Sequence, residues 1–152
     1  MVESKKFFPL FIDLNEKECL VVGGGSVALR KTKTLLEYGA SVTVVASHFK
    51  EEFKSLPVEI YQQDFVVDFL KDKFLVVAAT DNIHLNEMIY DICEMRGILM
   101  NNATSKEDMN TRFSAIIETE EFQIAISAKG LPKKSVKLKK QLIDILKELD
   151  IE

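Results

Sequence analysis

The first residues in the chain whose types and spacing suit a chemical task are a cluster of glycines. The pattern Gly23-x-Gly25-x-x-Ala28 follows an apolar run and opens a helical pattern. Between a strand and a helix, the first glycine of such a pattern permits a tight turn, and the second lets the backbone approach a pyrophosphate. The phosphates would lie on the amides of Ser26 and Val27, at the positive end of the helix dipole. The cluster therefore predicts a dinucleotide site, and a glycine-rich turn without a ligand is the alternative.

The next apolar run lacks a residue that such a site normally has. An acidic residue about twenty positions after the glycines normally holds the ribose hydroxyls of the adenosine. Here the run 42–46 ends in Ser47 and His48, whose side chains are able to hydrogen-bond a ribose. Because neither is a carboxylate that would repel a 2′-phosphate, this position leaves the choice between NAD and NADP open.

A further candidate edge follows the apolar run 74–80, where Thr80 and Asp81 precede a helical pattern. Ligands of open α/β sheets bind at the carboxyl ends of the strands. Asp81 is therefore a candidate site carboxylate, and a plain loop residue beside a helix cap is the alternative. The same edge is rich in amides, at Asn82, Asn86, Asn101 and Asn102. For Asn86 the alternative is a position on the helix that faces solvent.

Six lysines crowd a stretch of twelve residues that contains no acid, at Lys129, Lys133, Lys134, Lys137, Lys139 and Lys140. They begin at a predicted helix N-terminus, where the helix dipole disfavours each positive charge by about 0.3–1 kcal/mol. An anion bound there would explain the arrangement, because an acidic protein needs a local basic patch to hold one. A solvated charged face and a contact with an acidic partner protein are the alternatives.

The elements that must position these residues alternate along the chain. Short apolar runs predict five strands, at 19–22, 42–46, 58–62, 74–80 and 98–103. Helical patterns between them predict two helices, at 27–38 and 82–97. β-branched runs alternating with helices indicate a parallel sheet with right-handed crossovers. We therefore expect an α/β fold of the Rossmann type, with helices on both faces of the sheet.

The pattern changes after residue 110. The segments 113–119 and 122–128 predict an antiparallel strand pair, and 133–149 predicts a helix. This helix carries an apolar stripe, formed by Leu138, Leu142, Ile145, Leu146 and Leu149. The stripe must pack on its own domain or on a second subunit, so a dimer is expected. The predicted domains are 1–111, which would bind the dinucleotide, and 112–152, which would form a dimerisation and substrate-binding region.

Composition and charge narrow the possible functions. The 152 residues carry a net charge of −4, which argues against a nucleic-acid partner, because contacts with the phosphate backbone need a basic surplus. Cys19 and Cys93 lie in apolar runs and are interpreted as reduced core thiols of a cytoplasmic protein. No apolar run is long enough to span a membrane, and the first residues show no targeting pattern. His48 and His84 are isolated, so no metal site is expected.

Seven segments carry, in this order, a resemblance to a known family: FPLFIDL, CLVVGGGSVALRK, LLEYGASVTVVA, VVAATDN, RGILMNN, FSAII and IAISAKG. Over residues 7–142 the chain resembles the NAD-dependent precorrin-2 dehydrogenase family, the dehydrogenase and often ferrochelatase module of siroheme synthases. The resemblance implies oxidation of precorrin-2 to sirohydrochlorin, with NAD as the hydride acceptor. It also implies a homodimer with an interlocking dimerisation region.

The resemblance also implies which residues form the site. The cofactor contacts would be Gly23, Gly24, Gly25, Ser26, Val27, Ser47, His48, Thr80 and Asp81. Precorrin-2 is a tetrapyrrole with carboxylates around its ring, and for this substrate the contacts are expected from the charge of the lysine cluster and from the polar strand edge rather than from the family: Asn101, Lys129, Gly130, Lys133, Lys134 and Lys137.

Three departures from the family pattern bear on activity. Where the family has Asn-Val-Val-Asp-Asp after the fifth strand, this chain has 101-NNATS-105, so that Thr104 stands at the position of the key aspartate. Losing a general base typically costs about 10²–10⁴-fold in rate, and Asp108 and Asp81 are the candidate substitutes. The family's glycine-glycine-x-serine-proline turn is 128-AKGLP-132 here, and the chain ends at residue 152, before the further helices of typical members. With the key aspartate replaced, ferrochelatase activity is in doubt at least as much as dehydrogenation.

Two functions from different classes follow from these observations. The first is an NAD-dependent precorrin-2 dehydrogenase, and the second is a non-catalytic relative that binds NAD or a tetrapyrrole. A short oxidoreductase of another kind is disfavoured, because none of the three tyrosines is followed by a lysine four positions later.

Overall fold

The buried apolar runs of the sequence pair into one parallel sheet of five strands. A computed structural model describes residues 5–151 of the chain. The strands are β1 (Glu18–Val22), β2 (Ser41–Ala46), β3 (Glu59–Gln62), β4 (Leu75–Ala78) and β5 (Leu99–Asn102). Their order across the sheet is β3-β2-β1-β4-β5, and every pairing is parallel.

Two long helices cover the two faces of this sheet. α1 (Ser26–Glu37) connects β1 to β2, and α2 (Ile83–Arg96) connects β4 to β5. The two crossovers step in opposite directions from the centre of the sheet, and right-handed crossovers therefore place the helices on opposite faces. The predicted α/β fold of the Rossmann type is confirmed.

The core lies where the helices meet the central strands. The strand register pairs Leu20 with Val76 and Val76 with Met100, so these side chains share one face of the sheet. Ile89 and Cys93 of α2 pack in the same cluster. All five are fully buried. α2 therefore covers the part of this face that β4 and β5 form.

Both cysteines are buried, as predicted. Burial raises the pKa of the Cys93 thiol to about 12 and that of the Cys19 thiol to about 11. Both thiols are therefore protonated at neutral pH, and they pack as apolar core groups.

The links from β2 to β3 and from β3 to β4 contain no long helix. A short 3₁₀ helix occupies each link, Glu51–Ser55 in the first and Val67–Leu70 in the second. Each buries one apolar anchor, Phe53 and Leu70 respectively. β3 lies at the edge of the sheet and is exposed along its whole length. The residues that follow β3 are therefore accessible.

The predicted ends of α2 are confirmed. The Oδ1 atom of Asn82 accepts a hydrogen bond from the amide of Leu85 at 3.1 Å. Gly97 ends the helix with a φ of 66°, in the left-handed region that favours glycine. The loop before α2, which carries Asp81, is therefore anchored by the cap that begins the helix.

The chain divides into two compact units, Met1–Thr111 and Arg112–Glu152. The second unit contains β6 (Ala115–Glu118), β7 (Gln123–Ile126) and α3 (Pro132–Glu148). β6 and β7 pair antiparallel, and α3 packs on them. The predicted strand pair and C-terminal helix are confirmed.

The apolar stripe predicted on α3 is only partly buried. Leu142 and Leu146 are half-buried, whereas Leu138, Ile145 and Leu149 are 45%, 48% and 63% exposed. At 3.6 residues per turn these three side chains lie beside the face that packs on the strands rather than on it. We call Leu138, Ile145 and Leu149 the α3 ridge.

Among residues 5–151, no helix combines the length and the apolar character needed to cross a membrane.

Candidate dinucleotide site

A cleft of about 600 Å³ opens at the carboxyl edge of the parallel sheet. It is bordered by segments that follow four of the strands: Gly23–Gly25, Ser47–Lys50, Gln63–Phe65 and Ala79–Asn82. The carboxyl ends of parallel strands meet at one edge, so segments far apart in the sequence lie side by side here. The volume is in the range of small-molecule and cofactor sites, about 300–1,000 Å³.

Two of the three glycines are required by the packing of the turn itself. Gly23 has a φ of 136°, which L side chains rarely adopt, and a Cβ there would overlap the backbone of Ala79. A Cβ on Gly24 would overlap the carbonyl of His48. The amide of Lys50 donates to the carbonyl of Gly24 at 2.9 Å. The turn is therefore held between the segments that follow β2 and β4.

Gly25 differs from the other two, because neither strain nor packing demands a glycine there. Its φ of −89° is ordinary, and a Cβ placed on it would have no heavy atom within 4 Å. The first helical hydrogen bond of α1 runs from the amide of Leu29 to the carbonyl of Gly25 at 2.9 Å. The amides of Ser26 and Val27 precede this bond and have no partner within the helix.

The start of α1 therefore fits a diphosphate. Open space, amide donors and the positive end of the helix dipole coincide at Gly25. The first turn of α1 contains no acidic residue that would repel an anion, and no side chain caps the helix.

The segment after β2 contributes Ser47 and His48 to the cleft, and their contacts with a cofactor stay predictions. The Nδ1 atom of His48 lies 3.2 Å from the hydroxyl of Ser47. The side-chain amide of Gln62 donates to the carbonyl of Ser47 at 3.2 Å and ties the end of β3 to the end of β2. Asp64, two residues beyond β3, also lines the cleft. Sequence reasoning missed Asp64, although its position just past the predicted strand 58–62 was the available signal.

Asn86 joins the segments that follow β4 and β5. Its side chain is fully buried, so the alternative that it faces solvent is wrong. Its Oδ1 atom accepts from the hydroxyl of Thr80 at 2.7 Å. Its Nδ2 atom donates to the carbonyl of Thr80 at 3.0 Å and to the hydroxyl of Thr104 at 3.1 Å. A buried amide with these partners holds the two segments in one arrangement.

Both hydrogen-bonding roles of the Thr104 hydroxyl are occupied. It donates to Oδ1 of Asn102 at 2.9 Å and accepts from Nδ2 of Asn86 at 3.1 Å. Asp108 accepts from the hydroxyl of Ser105 at 3.1 Å. Of the three candidate catalytic residues, Asp81 lines the cleft. Thr104 and Asp108 are not among the described residues that line it. Their catalytic roles stay predictions.

The residues predicted to contact a substrate are divided between the two units. Asn101 in the first unit is 4% exposed, and its Nδ2 atom donates to the carbonyl of Thr111 at 2.8 Å. This hydrogen bond braces the segment after β5. In the second unit, the first turn of α3 contains no acid, and four predicted lysines are exposed, at Lys129, Lys133, Lys134 and Lys137. Gly130 adopts a φ of 89° in the turn before the helix. Their substrate contacts stay predictions.

No group of three or more His, Cys, Asp or Glu side chains within residues 5–151 is placed to hold a metal ion.

Comparison with known proteins identifies the family of the chain. A family model described as "Putative NAD(P)-binding" matches residues 10–115, a range that contains the whole parallel sheet and its cleft. The chain belongs to this NAD(P)-binding family. The predicted nicotinamide dinucleotide cofactor is thereby confirmed.

The chain is also similar to siroheme synthases. It is 35% identical over 128 residues to Siroheme synthase 2 of Yersinia enterocolitica, an alignment covering 82% of this chain and 27% of that protein. It is 34% identical over 144 residues to the Siroheme synthase of Actinobacillus pleuropneumoniae, covering 92% and 30% respectively. The chain thus spans less than a third of the length of these relatives. The resemblance carried by the seven sequence segments is confirmed.

The fold is similar to a solved structure of SirC, a precorrin-2 dehydrogenase. The TM-score is 0.75 at 28% sequence identity, and the match covers 90% of this chain and 69% of that one.

Proposed function

We propose that the chain is an NAD-dependent dehydrogenase that oxidises precorrin-2 to sirohydrochlorin, a step toward siroheme. The observation that carries the proposal is the open space in front of Gly25, which lines the cleft at the start of α1, where the first helix amides have no partner within the helix. The similar proteins named siroheme synthase and precorrin-2 dehydrogenase supply the substrate class.

In this proposal each segment around the cleft has one task. The amides of Ser26 and Val27 bind the diphosphate, and Ser47 and His48 bind the ribose of the adenosine. When bound, NAD supplies a two-electron acceptor, so that precorrin-2 and NAD⁺ give sirohydrochlorin, NADH and one proton. Asp81, the candidate carboxylate on the β4 side of the cleft, takes up that proton at a carboxylate oxygen and passes it to water.

The tetrapyrrole is recognised mainly by charge. Its carboxylates require cations, and the exposed lysines at the start of α3 are the densest basic group of an otherwise acidic chain. Catalysis then rests mostly on positioning the substrate against the cofactor. Positioning lowers a reaction barrier without a strong base, by about 7–11 kcal/mol at best.

We also propose that the protein is a cytoplasmic homodimer assembled through the second unit, Arg112–Glu152. The α3 ridge supports this proposal, because its three large apolar side chains are each 45% or more exposed along one side of the helix. The first unit, Met1–Thr111, then serves as the cofactor-binding domain.

A non-catalytic binding protein is the second candidate, and one observation favours it. The hydroxyl of Thr104 stands where the family resemblance implies an aspartate, and both of its hydrogen-bonding roles are already occupied. A chain without that carboxylate is able to hold NAD or a tetrapyrrole without turning it over.

The deciding experiment incubates the purified full chain with precorrin-2 and NAD, and follows the absorbance of NADH. Titration calorimetry with NAD alone measures binding in parallel, and reactions lacking either compound serve as controls. We expect heat of binding together with NADH formation. Heat without NADH would establish the binding protein instead, and absence of heat at millimolar NAD would overturn both candidates.

A further inference from the structure

Asp64 is a carboxylate in the cleft to which neither the family pattern nor the proposed reaction gives a role. It lines the cleft with Gln63 and Phe65, beyond the exposed edge strand β3. Among the described residues, no hydrogen bond or ion pair engages its carboxylate. A free carboxylate in a cleft built for an anionic cofactor calls for a physical explanation, because it weakens binding wherever it faces a phosphate.

The strand order places Asp64 on the adenosine side of the cleft. The glycine turn follows β1, which has β2 and β3 on one side and β4 and β5 on the other. A dinucleotide in such a sheet lies across the β1 edge, with its diphosphate on the helix and its adenosine ribose at the end of β2. The adenosine half therefore points toward β3 and Asp64, and the nicotinamide half points toward β4 and Asp81.

The register shows how close Asp64 comes to the usual ribose position. Ala46 of β2 pairs with Gln62 of β3, so His48 and Asp64 each stand two residues beyond a paired position. Neighbouring strands lie about 4.8 Å apart, and the Gln62 side chain ties the two strand ends together at 3.2 Å. The carboxylate that is missing after β2 is thus present one strand farther out.

One lysine, Lys50, is among the residues that line the cleft. Its backbone is fixed beside the glycine turn, because its amide donates to the carbonyl of Gly24 at 2.9 Å. It therefore follows β2, one strand away from Asp64. Beyond β3 the cleft is lined by Gln63, Asp64 and Phe65, and the formal charge of this segment is that of Asp64.

We propose that Asp64 selects NAD over NADP, by placing a negative charge where NADP carries its 2′-phosphate. This inference rests on the dinucleotide site of the proposed function. NAD presents only hydroxyls there, which a carboxylate accepts as donors, whereas the 2′-phosphate of NADP meets a like charge.

The test measures dissociation constants of NAD and NADP by titration calorimetry for the unmodified chain and for Asp64→Asn. We expect the unmodified chain to prefer NAD by at least about tenfold, and Asp64→Asn to reduce this preference at least about fivefold by improving NADP binding. Asp68→Asn is the matched control, since Asp68 is exposed on the next 3₁₀ helix and is outside the lining residues. It removes the same charge and should leave the preference unchanged.

Ionic strength gives an independent readout. Because Asp64 is exposed, salt screens its repulsion of a phosphate. The ratio of the NADP to the NAD dissociation constant should therefore fall as salt rises in the unmodified chain. In Asp64→Asn the same ratio should change little with salt. A preference that Asp64→Asn leaves intact, or an unmodified chain that binds NADP as well as NAD, would overturn the inference and leave the proposed function standing. A chain that binds neither dinucleotide would overturn both.

Discussion

At the scale of single residues, Thr104 is the position at which we propose that catalytic competence is decided. Its hydroxyl lies between an amide donor, Nδ2 of Asn86 at 3.1 Å, and an amide acceptor, Oδ1 of Asn102 at 2.9 Å. An amide N–H donates to a carboxylate more strongly than to a hydroxyl. Asn86 is thus placed to hold an aspartate at position 104, the residue that the family resemblance implies. In this chain the position carries the hydroxyl of Thr104, which cannot act as a base at neutral pH.

Replacing this hydroxyl by a carboxylate should raise turnover. We expect Thr104→Asp to increase the initial rate of NADH formation from precorrin-2 about 10²-fold, because it restores a general base. Thr104→Asn is the matched control, since asparagine has the same size and carries no charge. Equal rates for the two variants would show that no base acts from position 104.

Lys31 of α1 should make stability depend on pH. Burial, with a smaller effect of the neighbouring Arg30 charge, lowers the pKa of its ammonium group from 10.5 to about 8. Between these values the unfolded chain binds a proton that the folded chain has lost, so the free energy of unfolding rises with pH through this window. Below it, both states are protonated, and the folded state carries the cost of a partly desolvated charge.

The variant Lys31→Met removes this titration. In urea unfolding we expect it to be more stable than the unmodified chain at pH 7, and to gain less stability between pH 8 and 10.5. Lys33→Met serves as the control, because Lys33 is an exposed lysine of the same helix. If Lys31→Met and the unmodified chain show parallel pH profiles, burial does not shift the Lys31 pKa.

At the scale of elements, the starts of α1 and α2 show how function and stability place different demands on a helix. α2 begins with a side-chain cap, since Asn82 accepts from the amide of Leu85. α1 begins at Gly25 with no side-chain cap and no acid in its first turn. Caps and first-turn acids stabilise a helix start. Their absence from α1, where the space in front is open, is consistent with a site kept free for an anionic ligand.

A substitution at Gly25 should therefore change stability and binding in opposite directions. Gly25→Asp adds a good capping residue in open space, and we expect the free energy of unfolding to stay level or rise by about 0.5 kcal/mol. The same carboxylate would occupy and repel the diphosphate, so NAD affinity should fall at least about tenfold. Thermal denaturation and calorimetry measure the two quantities. A stable variant with unchanged NAD affinity would mean that the turn holds no diphosphate.

At the scale of the whole molecule, the second unit leaves more apolar surface exposed than its own packing explains. Leu138, Ile145 and Leu149 of the α3 ridge project beside the buried face of the helix. Burial of such a ridge against another subunit contributes roughly 25 cal/mol for each Å² removed from water. Association of two chains is the simplest way to cover it.

A charge on the α3 ridge should dissociate the proposed dimer. We expect the unmodified chain to sediment as a dimer and Ile145→Lys to sediment as a monomer with unchanged helix content. Val136→Lys is the control, because Val136 is equally exposed, at 48%, but lies on the opposite side of α3 from Leu138 at about 100° per residue. A monomeric unmodified chain, or a dimer that survives Ile145→Lys, would contradict the proposal.

The sequence by itself determined the order and type of the elements and the place of the glycine turn. These follow from local signals: apolar runs for β1, β2 and β4, a capping asparagine and a terminal glycine for α2, and glycines at the spacing that a turn before a helix requires. Each signal lies within a few residues of the structure it predicts, so no knowledge of distant contacts was needed.

Only the tertiary structure decided which polar residues share the cleft. Asp64 enters it because β3 pairs with β2, and Asn86 is buried because it bonds to segments after two different strands. Of the three candidate catalytic residues, Asp81 alone lines the cleft, since it directly follows β4, whereas Asp108 is turned toward Ser105 within its own loop. The physical reason is the same in each case: strand pairing and buried hydrogen bonds join residues far apart in the chain, and no local pattern of residue types encodes such a contact.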